Sequence, residues 1–539
     1  MYIYPKFNHN ENHLTMKTTL LKTLKKAFHI ALTAENTKIA ISEMLERQAE
    51  QAYSRRKFIK NTGQALLTTA LLPYTEGVFG RNLYQKEAPR IAIIGGGIAG
   101  LNALHTLKKS GIDATIYEAS GRIGGRIFTV KEAMGAGTWA EFGGEFIDTN
   151  HADMWSLAKE FNLDFIDYQQ EGEQKLHSEA FFLNGKHYTL KEVIIGFKHI
   201  APRLQKDIDR LPDDISYKTK NPFVKRLDNM SLSAYLHSIG ARGWLKRLIE
   251  VAYEAEYGLS PEVQSSLNLL TLISTKADTK IDWFGESDER YKVRGGNQSI
   301  CNVLAEKYTN HIQLNHALES MRKKGSVFNL KMSSVSADVV ADMVIMTIPF
   351  TKLRQVDIGV PMPQVKWDSI NTLGYGTNAK LMLGMNKHVW REQGYGGLVY
   401  ADNGIPNGWD NAQLQTSDNE AAGLSILFGG ESGVNVGKGS VESQKNKYLP
   451  KWEQIYKGVT EAYNGKVARM HWPSYPHNLG SYICPTIGQY TTMGGAEQFP
   501  VGNLYFAGEH CGGDFAGFMN GAAQSGREAA AAIVAKIKG

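Results

Sequence analysis

Cysteine is scarce in this chain: Cys301, Cys484 and Cys511 are the only three in 539 residues, and none forms a C-x-x-C pair. That excludes a disulfide framework and a cysteine-based zinc site, and no metal is expected. Long apolar runs are missing too. A modest one at 65–72 stops at Pro73, far short of the ~20 residues that a membrane-spanning helix needs. The net charge is a mild +6, with no Lys/Arg block interleaved with aromatics, so nucleic acid is not an expected partner. Glycine, by contrast, is plentiful at 54 of 539 residues, above the usual ~7%. Such a chain suits repeated close approach of backbone to a cofactor. At ~150 residues per domain, its length predicts two or three domains.

The most informative stretch is residues 90–128. An apolar strand at 91–94 leads into Gly95, Gly97 and Gly100, a G-x-G-x-x-G. These glycines allow a tight turn, close backbone approach to a pyrophosphate, and close packing of the following helix. That helix, expected at 99–110, repeats Leu101, Leu104 and Leu107, and its free N-terminal amides favour an anion. A second strand at 114–117 ends at Glu118, 23 residues after Gly95, where a carboxylate suits ribose hydroxyls. On its own this pattern leaves a nicotinamide and a flavin dinucleotide both open.

The next segment, Gly121-Arg122-Ile123-Gly124-Gly125-Arg126, resembles the G-R-x-G-G-R of the flavin-containing amine oxidases, a family that includes monoamine, polyamine and L-amino acid oxidases. Read without the resemblance, it is a mobile basic loop able to reach a second phosphate. The segment 139–148, with Gly143, Gly144 and Glu145, resembles the family stretch that passes the flavin ring. In the amino acid oxidases the position of Phe146 usually carries an Arg that grips the substrate carboxylate. Here it is Phe, and no Arg occurs from 128 to 202, which points toward an amine. Glu145 and Asp148 are candidates for complementing a cationic substrate.

Further along, 376–383 places Lys380 in an otherwise apolar strand, and related oxidases carry a lysine at this motif that holds a water beside the flavin. Near the C-terminus, a strand at 503–507 meets Gly508 and Glu509, and 517–522 opens a helix beginning near Met519. The resemblance gives Glu509 a ribityl contact and sets the helix dipole toward the flavin. The aromatic pair of the monoamine oxidases corresponds to Tyr482 and Phe518, and the cysteine that bonds the flavin there corresponds to Ser481. Serine cannot form that thioether, so noncovalent FAD is expected. No general-base histidine emerges, and His510 reads as structural.

The expected fold is α/β: a discontinuous, Rossmann-like FAD-binding domain (88–150 with 281–349 and 476–539) and an α+β substrate-binding domain (151–280 with 350–475). Residues 1–87 read as a twin-arginine-type signal and N-terminal extension. Ser54-Arg55-Arg56-Lys57-Phe58-Ile59-Lys60 matches the export signature, 78–80 suits cleavage, and Met16 or Met44 are alternative starts. This predicts the export machinery as a partner and a periplasmic or secreted location, otherwise a cytoplasmic one.

The expected reaction is oxidative deamination of a small-molecule amine, with oxygen or a periplasmic electron carrier as acceptor. Lys380, Tyr482 and Phe518 are the expected catalytic residues. The alternatives are an L-amino acid oxidase or tryptophan 2-monooxygenase-like enzyme using a cap arginine such as Arg242 or Arg247, a desaturase-like flavoprotein, and a noncatalytic flavin-binding module.

Overall fold

A computed structural model describes residues 19–45, 88–170, 172–273 and 288–538. The twin-arginine stretch, the apolar run and the expected cleavage position all lie outside them.

The strand Ile91–Ile94 is buried along its whole length and sits at the centre of a five-stranded sheet. Its neighbours are Met343–Met346 and Thr115–Tyr117, both parallel to it. Leu504–Phe506 and Ile312–Gln313 complete the sheet at its edges, also in parallel. Successive side chains point to opposite faces. Ile91 and Ile93 pack with Leu101, Leu104, Leu304 and Ile533 from the helices Ile98–Lys109, Gln298–Lys307 and Met519–Lys538. Ala92 and Ile94 pack on Phe328, Leu330 and Met332 of a second, four-stranded sheet. A strand covered on both faces has no polar side to show, hence the unbroken apolar run.

The parallel sheet lies where the sequence predicts, but three boundaries differ. The apolar stretch at 338–346, which reads as one strand, is two strands, Val339–Ala341 and Met343–Met346, in different sheets. They part at Asp342, whose carboxylate accepts from Arg90. The break expected after 150 comes later. Met154, Leu157 and Ala158 pack in the dinucleotide-domain core, and Phe165–Asp167 pairs with Tyr291–Val293. The break expected at 349 also moves, because Asp357–Gly359 pairs with the strand Leu318–Lys324.

The second domain joins a seven-stranded sheet to a helical layer. Lys380 lies on Ala379–Met385, an interior strand between Ala422–Phe428 and Tyr463–His471. Ala379, Leu381 and Leu383 face one core with Trp452. Lys380 and Met382 therefore point the other way, Lys380 to the Gly143 carbonyl and Met382 onto Met134 and Ala140.

The N-terminal helix Thr19–Thr37 differs most from the sequence reading, which groups it with an export signal. Leu24, Ala27, Phe28 and Ala31 form one helical face, fully buried against Val193, Phe197 and Ala252 of the helical layer. Thr23 also donates to Glu179 at 2.7 Å. Apolar residues spaced i, i+3, i+4, i+7 bury one stripe of a helix. In this chain the stripe completes the core of the substrate domain.

Candidate active site

One cavity of about 530 Å³ runs between the two domains, from Gly95, Glu118 and His316 to Lys380, Trp409 and Tyr482. The glycine turn forms one end. Gly95 adopts φ +115°, and a Cβ there would lie 2.5 Å from Thr347 Oγ1. At Gly100 a Cβ would meet the Gly95 carbonyl oxygen at 2.0 Å, so helix and strand pack together only through glycine. Gly97 is different: no atom lies within 4 Å of a Cβ built there, and the residue lines the cavity. It leaves backbone open for a ligand. Glu118 accepts from Gly96 N at 2.6 Å and from Ser120 N at 2.8 Å, which holds the turn.

The two arginines of the loop divide their work. Arg122 is folded back on its own loop, donating to Gly125 O at 2.5 Å and Tyr475 OH at 3.1 Å while its guanidinium covers the Phe128 ring. It shapes the loop that lines the cavity. Arg126 reaches across the fold to Ser481 O at 2.5 Å and Glu509 Oε1 at 2.7 Å. Burial opposes a charge on Glu509, but Arg126 and the Ile483 amide hold its carboxyl below the ordinary value. Gly508 adopts φ +132°, turning the chain between the strand Leu504–Phe506 and Glu509.

Gly143 and Gly144 pass close to other parts of the site. A Cβ on Gly143 would lie 1.8 Å from Arg126 O, and one on Gly144 would lie 2.7 Å from Met519 Cγ. Beyond them Glu145 is buried with both oxygens occupied. Lys292 Nζ donates to Oε1 at 2.7 Å, and Lys380 Nζ donates to Oε2 at 2.8 Å. Burial works against this carboxylate, yet the two ammonium groups hold it below its usual range. Glu145 is thus neutralised from within and does not serve as the complement of a cationic substrate. Asp148 is also engaged, accepting from Glu289 N at 2.7 Å and lying 3.1 Å from His151 Nε2.

Tyr482 and Phe518 both line the cavity. Tyr482 OH donates to Ala255 O at 3.3 Å, while Phe518 packs edge-on against His151 at 4.9 Å. Phe146 meets Trp409 edge-on at 5.9 Å, and Lys380 Nζ lies 5.1 Å from the Trp409 ring centre. Phe146 and Trp409 thus join Tyr482 and Phe518 in the lining, beyond the aromatic pair that the resemblance supplies. Ser481 donates its hydroxyl to Asn378 Oδ1 at 2.6 Å. His510 is buried against Phe350 at 4.4 Å, outside the cavity lining.

Lys292, Trp409, Glu256 and Glu289 all escape the sequence reading. Glu256 reaches the cavity because its helix, Gly243–Tyr257, ends at Gly258 in the left-handed conformation. Asn378 clamps that end by donating to Ala255 O at 2.8 Å. A lysine in the short strand Tyr291–Val293 was the only available signal for Lys292, and periodicity alone reads such a residue as solvent-facing. The cap arginines stay away. Arg242 is exposed and donates to His237 O and Ala241 O, and Arg247 is exposed as well. Among the described residues, Arg122 and Arg126 are the only arginines lining the cavity.

The residues fit FAD. A strand-turn-helix with an open glycine, an acid after the second strand and a long cleft toward a buried lysine make a cradle of the right chemistry for a dinucleotide.

Comparison with known proteins agrees with this cradle. The sequence profile of the family described as "Flavin containing amine oxidoreductase" matches residues 98–534. A curated relative from Danio rerio, "Amine oxidase [flavin-containing]", is 22% identical over 458 residues, covering 82% of this chain and 85% of the relative. The "L-amino acid dehydrogenase" of Synechocystis is 23% identical over 462 residues, covering 82% and 94% respectively. Among solved structures, cyclohexylamine oxidase from Brevibacterium oxydans shares the fold with a TM-score of 0.73 at 19% identity, covering 84% of this chain and all of that one.

Proposed function

The chain belongs to the flavin-containing amine oxidoreductases, and from that membership we propose that it binds FAD noncovalently and oxidatively deaminates a cationic amine with an apolar body. The observation that carries the substrate class is the wall of the cavity. It presents Phe146, Trp409, Tyr482 and Phe518 together with the carboxylates Glu256 and Glu289. Within the described residues both lining arginines are committed to the loop or to Glu509, so a substrate carboxylate finds no guanidinium there.

Once the bound amine has released its ammonium proton to solvent, FAD would accept the hydride equivalent leaving the carbon that bears nitrogen, and water would then convert the imine to an aldehyde or ketone plus ammonia. The protein binds, orients and desolvates. The aromatic walls attract and align the amine, and the carboxylates favour its charged form on entry. Noncovalent binding is supported by Ser481, whose hydroxyl is tied to Asn378, and by a lining that holds no cysteine among the described residues. The export motif at 54–60 supports a periplasmic or secreted location reached with a folded, loaded cofactor. In that setting oxygen or a periplasmic electron carrier accepts the electrons.

Anaerobic mixing of the purified yellow protein with a panel of amines and the matching L-amino acids tests the reading. Flavin bleaching by amines alone supports it. Bleaching by the amino acids alone replaces it with amino acid oxidation, and bleaching by neither replaces it with a noncatalytic flavin-binding module.

A further inference from the structure

An ammonium group has three N–H donors, and Lys380 spends all three on the protein. Its acceptors are Glu141 O at 2.9 Å, Gly143 O at 2.9 Å and Glu145 Oε2 at 2.8 Å. Nothing remains with which to hold a water molecule unless one of these bonds breaks. The other oxygen of Glu145 is taken by Lys292, which has no exposed surface at all and lies 5.8 Å from the Phe146 ring centre and 5.6 Å from that of Tyr168. Two buried cations thus share one buried anion. Burying such groups is costly, and a single Lys–Glu pair would have been cheaper and electrically neutral. The second lysine leaves the triad with one net positive charge inside the cofactor cavity.

We propose that Lys292 is an electrostatic residue: by neutralising Glu145 it leaves the positive charge of Lys380 uncompensated, and that charge favours the negative charge a bound flavin gains on reduction. A fixed charge in a water-poor site stabilises developing charge without reorganisation. The inference rests on the FAD reading above. It adds a residue and a role that the sequence motifs do not supply.

Other charged groups face the triad. Glu141 is buried next to it, accepting from Asn297 N at 2.8 Å and Thr129 Oγ1 at 2.7 Å. Burial pushes its carboxyl up to about 7, against the pull of Lys292. Glu256, Glu289 and Asp148 line the same cavity. Because these anions oppose the effect of the lysines, the test compares variants at one fixed pH.

The midpoint potential of the bound flavin, measured by spectroelectrochemical titration of the full-length holoprotein, is the readout. Lys292→Met is expected to shift the reduction equilibrium toward the oxidised form by about tenfold, roughly 30 mV for a two-electron couple, and Lys380→Met by at least as much. The double variant Lys292→Met/Glu145→Gln removes the paired cation and anion together and keeps Lys380, so it should return to within threefold of the parent. A purely structural role for Lys292 predicts instead that the double variant is at least as perturbed as the single one. A loaded Lys292→Met protein with the parent's potential overturns the inference. If that variant does not retain flavin, a double variant shifted as far as Lys380→Met overturns it. A parent that takes up no FAD on reconstitution defeats the functional reading itself and is seen before any variant is made.

Discussion

Arg126 and Glu509 stand 383 positions apart, yet guanidinium and carboxylate meet at 2.7 Å inside the cavity wall. The pair joins the glycine-rich loop after the first two strands to the turn before the last helix, so it closes the cofactor site as well as lining it. Arg126→Met leaves the Glu509 carboxylate buried without its counter-ion, a loss of about 3–5 kcal/mol. A large drop in thermal midpoint with loss of yellow colour on purification is expected. A variant that melts and binds FAD like the parent would show the pair to be incidental.

Gly97 separates binding from folding. An alanine there has no neighbour within 4 Å and an ordinary φ of −73°. Gly97→Ala should therefore melt like the parent as apoprotein but bind FAD at least tenfold more weakly (about 1.4 kcal/mol) because its methyl enters the space for the cofactor. Gly100→Ala, which would meet backbone at 2.0 Å, should fail to fold. Unchanged FAD affinity in Gly97→Ala, measured by fluorescence titration, would place the pyrophosphate elsewhere.

His510 supplies a pH dependence. Burial lowers it most, against the raising influence of Glu509, to about 4 from its ordinary 6.5. The unfolded chain therefore takes up a proton as pH falls below 6.5 while the folded chain resists, and stability is lost between those two values. The size is about 3 kcal/mol. His510→Phe lacks this slope, so its thermal midpoint should gain on the parent steadily from pH 6.5 down to 4. Parallel curves over that range would mean that the ring protonates freely in the folded state.

The N-terminal helix gives a fourth expectation. Phe28 is fully buried in the substrate-domain core, so Phe28→Ala should cost about 3–5 kcal/mol. Starting the chain at Met44 should likewise lower the melting point and raise ANS binding, by baring Val193 and Phe197. A chain begun at Met44 that matches the parent in both measurements would show the helix to be dispensable.

The glycine motifs were legible in the sequence because each meets a local demand. A turn at φ +115°, as at Gly95, or a backbone contact under the length of a methyl group, as at Gly100, admits no other residue, and the requirement lies within a few positions of itself. The apolar strand was legible because burial on both faces removes every polar position, and the helix after it because Leu101, Leu104 and Leu107 repeat along one buried stripe. The boundaries at 150 and 349 were not legible. They depend on strand pairing between segments far apart, such as Asp357–Gly359 with Leu318–Lys324, which no local pattern records.

The site shows the same division. By itself the sequence determined the dinucleotide cradle, the family, and the presence of a lysine in an apolar strand. Only the tertiary structure decided what that lysine touches. Its three donors are consumed by acceptors from the 141–145 segment, and the carboxylate it meets is shared with Lys292, 147 positions from Glu145. Charge in a protein interior takes its meaning from its partners, and those partners are assembled by the fold.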